Sequence, residues 1–99
     1  MEQIKSLCDE IVDIVSPSKI ILFSQKNTLS GELISFKLCI IAEGNSAEIE
    51  GKIYLKTSCD LHYDALVYSG VDWARLICDA DSFAARINKV GSVLYESAN

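Results

Sequence analysis

A chain of 99 residues fits one domain with one continuous core, and its 49% hydrophobic content with few Gly or Pro excludes a long disordered or low-complexity segment. The formal net charge is −5 and Lys and Arg are scattered, so the basic footprint needed to hold a long nucleic acid is missing. No run approaches the roughly 20 apolar residues of a membrane span, and no apolar leader core follows Met-Glu-Gln-Ile-Lys, so the expected compartment is the cytoplasm.

Residues 2–15 read as an amphipathic helix. Ile4, Leu7, Cys8, Ile11, Ile14 and Val15 recur at helical spacing, with Glu2, Lys5, Asp9, Glu10 and Asp13 on the other face. Pro17 ends it, because proline disfavours a helical residue before it. Lys19 to Phe23 is a short apolar run, as in a strand covered on both faces. Residues 24–32 are polar and read as a loop with room for one helical turn.

Leu33 to Ala42 is a second strand. In a regular strand Ile34, Phe36, Leu38, Ile40 and Ala42 share one face, and Leu33, Ser35, Lys37, Cys39 and Ile41 share the other. After a turn at Glu43 to Ser46, residues 47–58 favour a helix through the Ile49/Ile53 spacing. Gly51 leaves a hairpin as the alternative. Leu61 to Tyr68 is a third strand.

Ser69 is the expected N-cap of a short helix carrying Trp73, Ala74 and Ile77, with Trp73 packed in the core. Asp79 or Asp81 is expected to cap a further helix whose inner face is Phe83, Ala84 and Ile87. Gly91 stops that helix, and Val93 to Tyr95 form a closing strand or an extended tail. Strands separated by helices predict a single α/β (α+β) domain, a small mixed sheet with helices packed on it.

The four cysteines, Cys8, Cys39, Cys59 and Cys78, are far apart and form no C-x-x-C pair. They are expected to be buried, reduced thiols rather than a zinc site. The lone histidine, His62, has no nucleophile or acid at motif spacing and reads as structural rather than as a general base.

Several stretches carry a resemblance. Lys52-Ile53-Tyr54-Leu55, the run from Cys59 to Tyr68, Trp73, Ser82-Phe83-Ala84-Ala85-Arg86-Ile87 and Gly91-Ser92-Val93-Leu94-Tyr95-Glu96 resemble bacterial members of the minimal nucleotidyltransferase family. Ile20-Ile21-Leu22-Phe23 resembles the strand before that family's signature loop. The resemblance implies the polymerase-β-like nucleotidyltransferase fold across nearly the whole chain.

The family's chemistry rests on a G-S-x-A-x-G loop, which holds nucleotide phosphates, and on a D-x-D pair, which shares divalent cations. After Phe23 this chain reads Ser24-Gln25-Lys26-Asn27-Thr28-Leu29, without either glycine. Aligned without gaps, the D-x-D positions fall on Phe36-Lys37-Leu38, with Ser35 matching the serine before the motif. Asp64 matches the family's third acidic residue and is expected on a strand neighbouring Phe36 and Leu38. It reads either as a vestigial metal ligand or as a surface carboxylate.

The resemblance therefore implies a degenerate active site, a pseudoenzyme without catalytic residues or a bound metal. Ser24, Gln25 and Lys26 remain weak candidates for backbone contact with a nucleotide. Lys37 reads as a solvated lysine, with phosphate binding as the alternative. Phe36 and Leu38 are interface candidates, because an apolar face where active relatives have a polar cleft must be covered by helices or by a partner.

The implied role is a protein-interaction or regulatory, antitoxin-like module. Its partner would be a small helical HEPN-type protein, as in toxin–antitoxin modules, or a second copy of the chain. The alternatives are an active enzyme using Mg and ATP, with carboxylates such as Asp60, Glu43 or Glu48 supplied from elsewhere, and a module that senses a nucleotide without metal.

Overall fold

In the computed structural model, which describes residues 2–97, the chain runs α1 (Glu2–Val15), β1 (Lys19–Asn27), β2 (Leu33–Ile41), α2 (Ser46–Lys56), β3 (His62–Tyr68), α3 (Gly70–Leu76), α4 (Phe83–Val90) and β4 (Ser92–Glu96). The four strands form one mixed sheet in the order β3-β2-β1-β4. β1 is antiparallel to both its neighbours, and β2 and β3 are parallel. A parallel pair needs a long crossover, and α2 supplies it. The α/β class expected from the strand–helix alternation is the one observed.

The sheet separates two apolar layers. Ile4, Leu7, Cys8 and Ile11 of α1 pack with Ile49 and Ile53 of α2 onto Ile20, Phe36, Leu38, Ile40, Ala65 and Val67. The opposite face holds Ile21, Cys39 and Ile41 against Trp73 of α3 and Ala84 and Ile87 of α4. Adjacent residues of β2 feed different layers, which is why its last four residues, Leu38 to Ile41, are all apolar. Trp73 is a core residue, tilted against Tyr68 with ring centroids 5.5 Å apart.

α1 ends where expected. Ser16, immediately before Pro17, takes a positive φ of 47° and leaves the helix. Residues 47–58 resolve toward the helix: Asn45 caps α2 by accepting from the Glu48 N–H at 3.0 Å. Ser69 caps α3 as expected, accepting from the Asp72 N–H at 3.1 Å.

Other expectations are corrected. Residues 24–27 are not loop but the outer part of β1, paired with residues 33–37 of β2; only residues 28–32 turn. The side chains of residues 24–27 are polar because this arm of the hairpin is exposed on both faces, and polarity there does not break the ladder. Two irregularities accompany it. Phe23 has no partner between Leu22↔Leu38 and Ser24↔Lys37, and Ile34 has none between Lys26↔Ser35 and Asn27↔Leu33.

The second irregularity reverses the parity of β2's first residues. Leu33 joins the α1/α2 layer, while Ile34 stays exposed. Ser82, not Asp79 or Asp81, caps α4, accepting from the Ala85 N–H at 3.0 Å. Asp79 instead accepts from the Asp81 N–H and shapes the preceding turn. Phe83, placed on the inner face of α4 by its spacing, is 54% exposed and only edges onto Phe23.

Gly91 ends α4 for a steric rather than a conformational reason. Its φ is −77°, but an added Cβ would lie 2.4 Å from Ile21 Cγ2 and 2.7 Å from the Ile87 carbonyl oxygen. That close approach lets the chain turn directly into β4.

Both sheet edges are blunted. On β3 the Tyr54 hydroxyl accepts from the Ala65 N–H at 2.7 Å. On β4 Leu94 is an extra residue between the pairs Ile20↔Tyr95 and Ile21↔Val93, which kinks a strand of five residues. Capped amides and bulges are how edge strands avoid pairing with strangers.

Candidate functional site

The residues that the resemblance assigns to metal binding do not meet. In the β2–β3 ladder Phe36 is opposite Tyr63, Lys37 opposite Asp64, and Leu38 opposite Ala65. Partners directly opposite in a ladder point to the same side of the sheet. Phe36 and Leu38 therefore point into the α1/α2 layer, whereas Lys37 and Asp64 point to the other side. The expectation that Asp64 would neighbour Phe36 and Leu38 holds for the strands and fails for the side chains.

Nor are Phe36 and Leu38 available as an interface. They are 2% and 0% exposed, because α1 and α2 cover them. Phe36 stacks on Tyr63 at a centroid distance of 5.6 Å, and Tyr63 on Tyr54 at 5.4 Å. The Tyr63 hydroxyl shares a 2.7 Å hydrogen bond with Thr57 Oγ1, which also donates to the Ile53 carbonyl. Burial raises the Tyr63 pKa, with the Thr57 hydrogen bond acting against it. This is a locked aromatic stack joining α2 to β3, not an open cleft.

The other proposed carboxylates are dispersed. Glu43 accepts from the Gly70 N–H at the start of α3 at 3.1 Å. Glu48 lies in the first turn of α2, and Asp60 in the bend before β3. Among the described residues no group of three or more His, Cys, Asp or Glu is placed to hold a metal ion. His62 is exposed, opposite Ser35 at the start of β3.

The thiols are free, but burial holds for only two of the four. Cys8 and Cys39 are buried, and burial pushes their pKa up to about 11 and about 12, respectively. Asp9 adds to the shift at Cys8. Cys59 is half-buried. Cys78 is exposed in the turn after α3, where no layer covers it.

What the fold does assemble on Asp64's side of the sheet is a groove. Phe23, Ser24, Lys37, Phe83, Arg86, Ile87 and Val90 line a volume of about 230 Å³. It lies where β1 and β2 run out from under α4. Of the three residues expected as candidates for nucleotide contact, only Ser24 reaches it. Gln25 pairs with Phe36 and lines a separate hollow near the hairpin, and Lys26 pairs with Ser35. Ser24 sits in a ladder, so no glycine-rich nest of converging N–H groups forms there.

Arg86, Phe23 and Phe83 escaped the sequence reading as site residues. The legible signal was on α4 itself. Phe83, Arg86, Ile87 and Val90 follow the i, i+3, i+4, i+7 rhythm of one helix face. A second, more apolar cleft of about 360 Å³ runs between α1 and β4, lined by Ile4, Cys8, Val12, Leu94 and Tyr95, with Glu2, Lys5 and Asp9 beside them.

Comparison with protein-family models, with curated proteins and with solved structures yields no match. Among the described residues no helix is long and apolar enough to cross a membrane.

Proposed function

We propose that this chain is a nucleotidyltransferase-like domain that does not transfer nucleotides and works by contact with another protein. Its role is regulatory, of the antitoxin-like kind. The partner class follows from the resemblance: a small helical HEPN-type protein, with a second copy of the chain as the alternative.

One observation carries the reading. The position matching the third acidic ligand, Asp64, lies on one face of the sheet, while the positions matching D-x-D, Phe36 and Leu38, lie in the core beneath the other. A one-residue gap in the alignment would bring Ser35 and Lys37 to the D-x-D positions, on Asp64's face. The second position is then an ammonium group, which repels the cation that the motif exists to bind. In either register one carboxylate is left where magnesium-assisted transfer needs several hard oxygen ligands.

A titration of the full chain with ATP, with and without magnesium, tests the reading. The proposal expects no heat that depends on the metal at millimolar ligand. Magnesium-dependent binding that is lost in Asp64→Ala would instead favour an enzyme whose remaining ligands come from another segment or subunit.

A further inference from the structure

The geometry points to the groove between α4 and the β1–β2 ladder as the docking surface for an acidic amphipathic segment of a partner protein. The inference rests on the reading that the chain works by protein contact, and it names the surface and the partner's chemistry.

Shape and polarity come first. Phe23, Phe83, Ile87 and Val90 form the apolar walls. Phe83 and Val90 are 54% and 62% exposed and flank the buried Ile87 at the rim of the α4 face that packs on the sheet. A groove of about 230 Å³ accepts one leucine- or phenylalanine-sized anchor and leaves the rest of a helix lying across its mouth.

Charge selects the occupant. In a chain with 14 acidic and 9 basic side chains, Lys37 and Arg86 both line this groove. Lys89, one turn beyond Arg86 on α4, lines the adjoining cleft with Phe83 and Arg86. Among the described residues the two ion pairs are Lys19–Glu96 and Asp72–Arg75, so none of these three cations is engaged in one. The acidic side chains nearby are Asp64, opposite Lys37, and Asp81 in the adjoining cleft. Cations around an apolar slot match carboxylates flanking an apolar anchor. A free nucleotide is a poorer match, because its phosphates need converging donors and the groove's other hydrogen-bonding side chain is Ser24 alone.

The test uses the full chain and a fluorescein-labelled helical peptide with Leu at i, i+3, i+4 and i+7 and Glu at the remaining positions. Anisotropy gives the affinity, and amide chemical-shift mapping gives the site. The expected result is a shift pattern centred on residues 23, 24, 37, 83, 86, 87 and 90. Binding should weaken at least about tenfold in the double variant Lys37→Glu/Arg86→Glu, and weaken with added salt.

The milder pair Lys37→Gln/Arg86→Gln, checked for native amide spectra, covers the case in which charge reversal disturbs the fold. The inference is overturned if the peptide does not bind, if it binds both pairs of variants as well as the parent, if the shifts map to the α1–β4 cleft, or if ATP perturbs Lys37 and Arg86 while the peptide does not. None of these outcomes measures metal-dependent ATP binding, so failure here is distinct from failure of the non-catalytic reading.

Discussion

Lys37 and Asp64 stand opposite each other on neighbouring parallel strands, on the side of the sheet away from Phe36 and Leu38. That parity decides which residues share a site. It separates Phe36 and Leu38, which the proposed resemblance aligns with D-x-D, from Asp64, which it aligns with the third acidic position, and it puts the Lys37 ammonium on Asp64's side instead.

Phe36 and Leu38 act through the core. Phe36→Ala should cost about 3–5 kcal/mol and Leu38→Ala about 2–5 kcal/mol, by lost burial and residual cavity. For a domain of this size either cost is a large share of total stability. Urea denaturation is the check. Native-like stability in both variants would mean these side chains are not packed as described.

Tyr54 guards the β3 edge. Removing its hydroxyl in Tyr54→Phe leaves the Ala65 N–H without its 2.7 Å partner, at a cost of about 0.5–1.5 kcal/mol. Amide exchange at Ala65 should accelerate, and the variant should associate more readily at high concentration. Unchanged protection at Ala65 would remove the capping role.

Ser82 carries two local bonds. Its hydroxyl accepts from the Ala85 N–H at 3.0 Å and donates to the Leu76 carbonyl at 2.6 Å. Ser82→Ala should lose about 1–2 kcal/mol, while Asp81→Ala should fall within about 0.5 kcal/mol of the parent. Equal losses would contradict the assignment of the cap.

The buried thiols make stability fall in alkali. Burial raises Cys39 to about 12 and Cys8 to about 11, from an ordinary value of 9.0. Above pH 9 the unfolded chain releases these protons and the folded chain keeps them, so unfolding becomes easier as pH rises. The contribution is complete below pH 9 and is lost between about 9 and 11–12, at no more than about 1.4 kcal/mol per thiol per pH unit. Thermal melts from pH 8 to 10.5 should show the decline, and Cys39→Ala should show a shallower one. A flat profile in the parent contradicts the burial.

Most of the fold was legible because its signals are local. The helical spacing of Ile4, Leu7, Cys8 and Ile11, the stop at Pro17 and the cap at Ser69 each depend on a few neighbouring residues. The outer half of β1 was not legible. Ser24, Gln25, Lys26 and Asn27 are polar because nothing covers them, and exposed strand and loop have the same composition. The unpaired residue at Ile34 was equally hidden, since Leu33 and Ile34 are both apolar and either fits the inward position of an alternating pattern.

The site was legible only in pieces. Ser24, Lys37 and Asp64 drew attention through the resemblance, but their relation depends on the register between β2 and β3, which a single chain does not encode locally. Arg86 and Phe83 entered the groove through the packing of α4 on the sheet. Ser82 was overlooked because two aspartates nearby were equally good caps by residue type, and the choice between them is made by where α4 begins.

The most direct test of the central claim is nucleotide transfer itself. The full chain is incubated with labelled ATP and either magnesium or manganese, alone and with a co-purified helical partner where one exists. The account predicts no incorporation above a no-protein control in any mixture. Metal-dependent labelling that disappears in Asp64→Ala would contradict it.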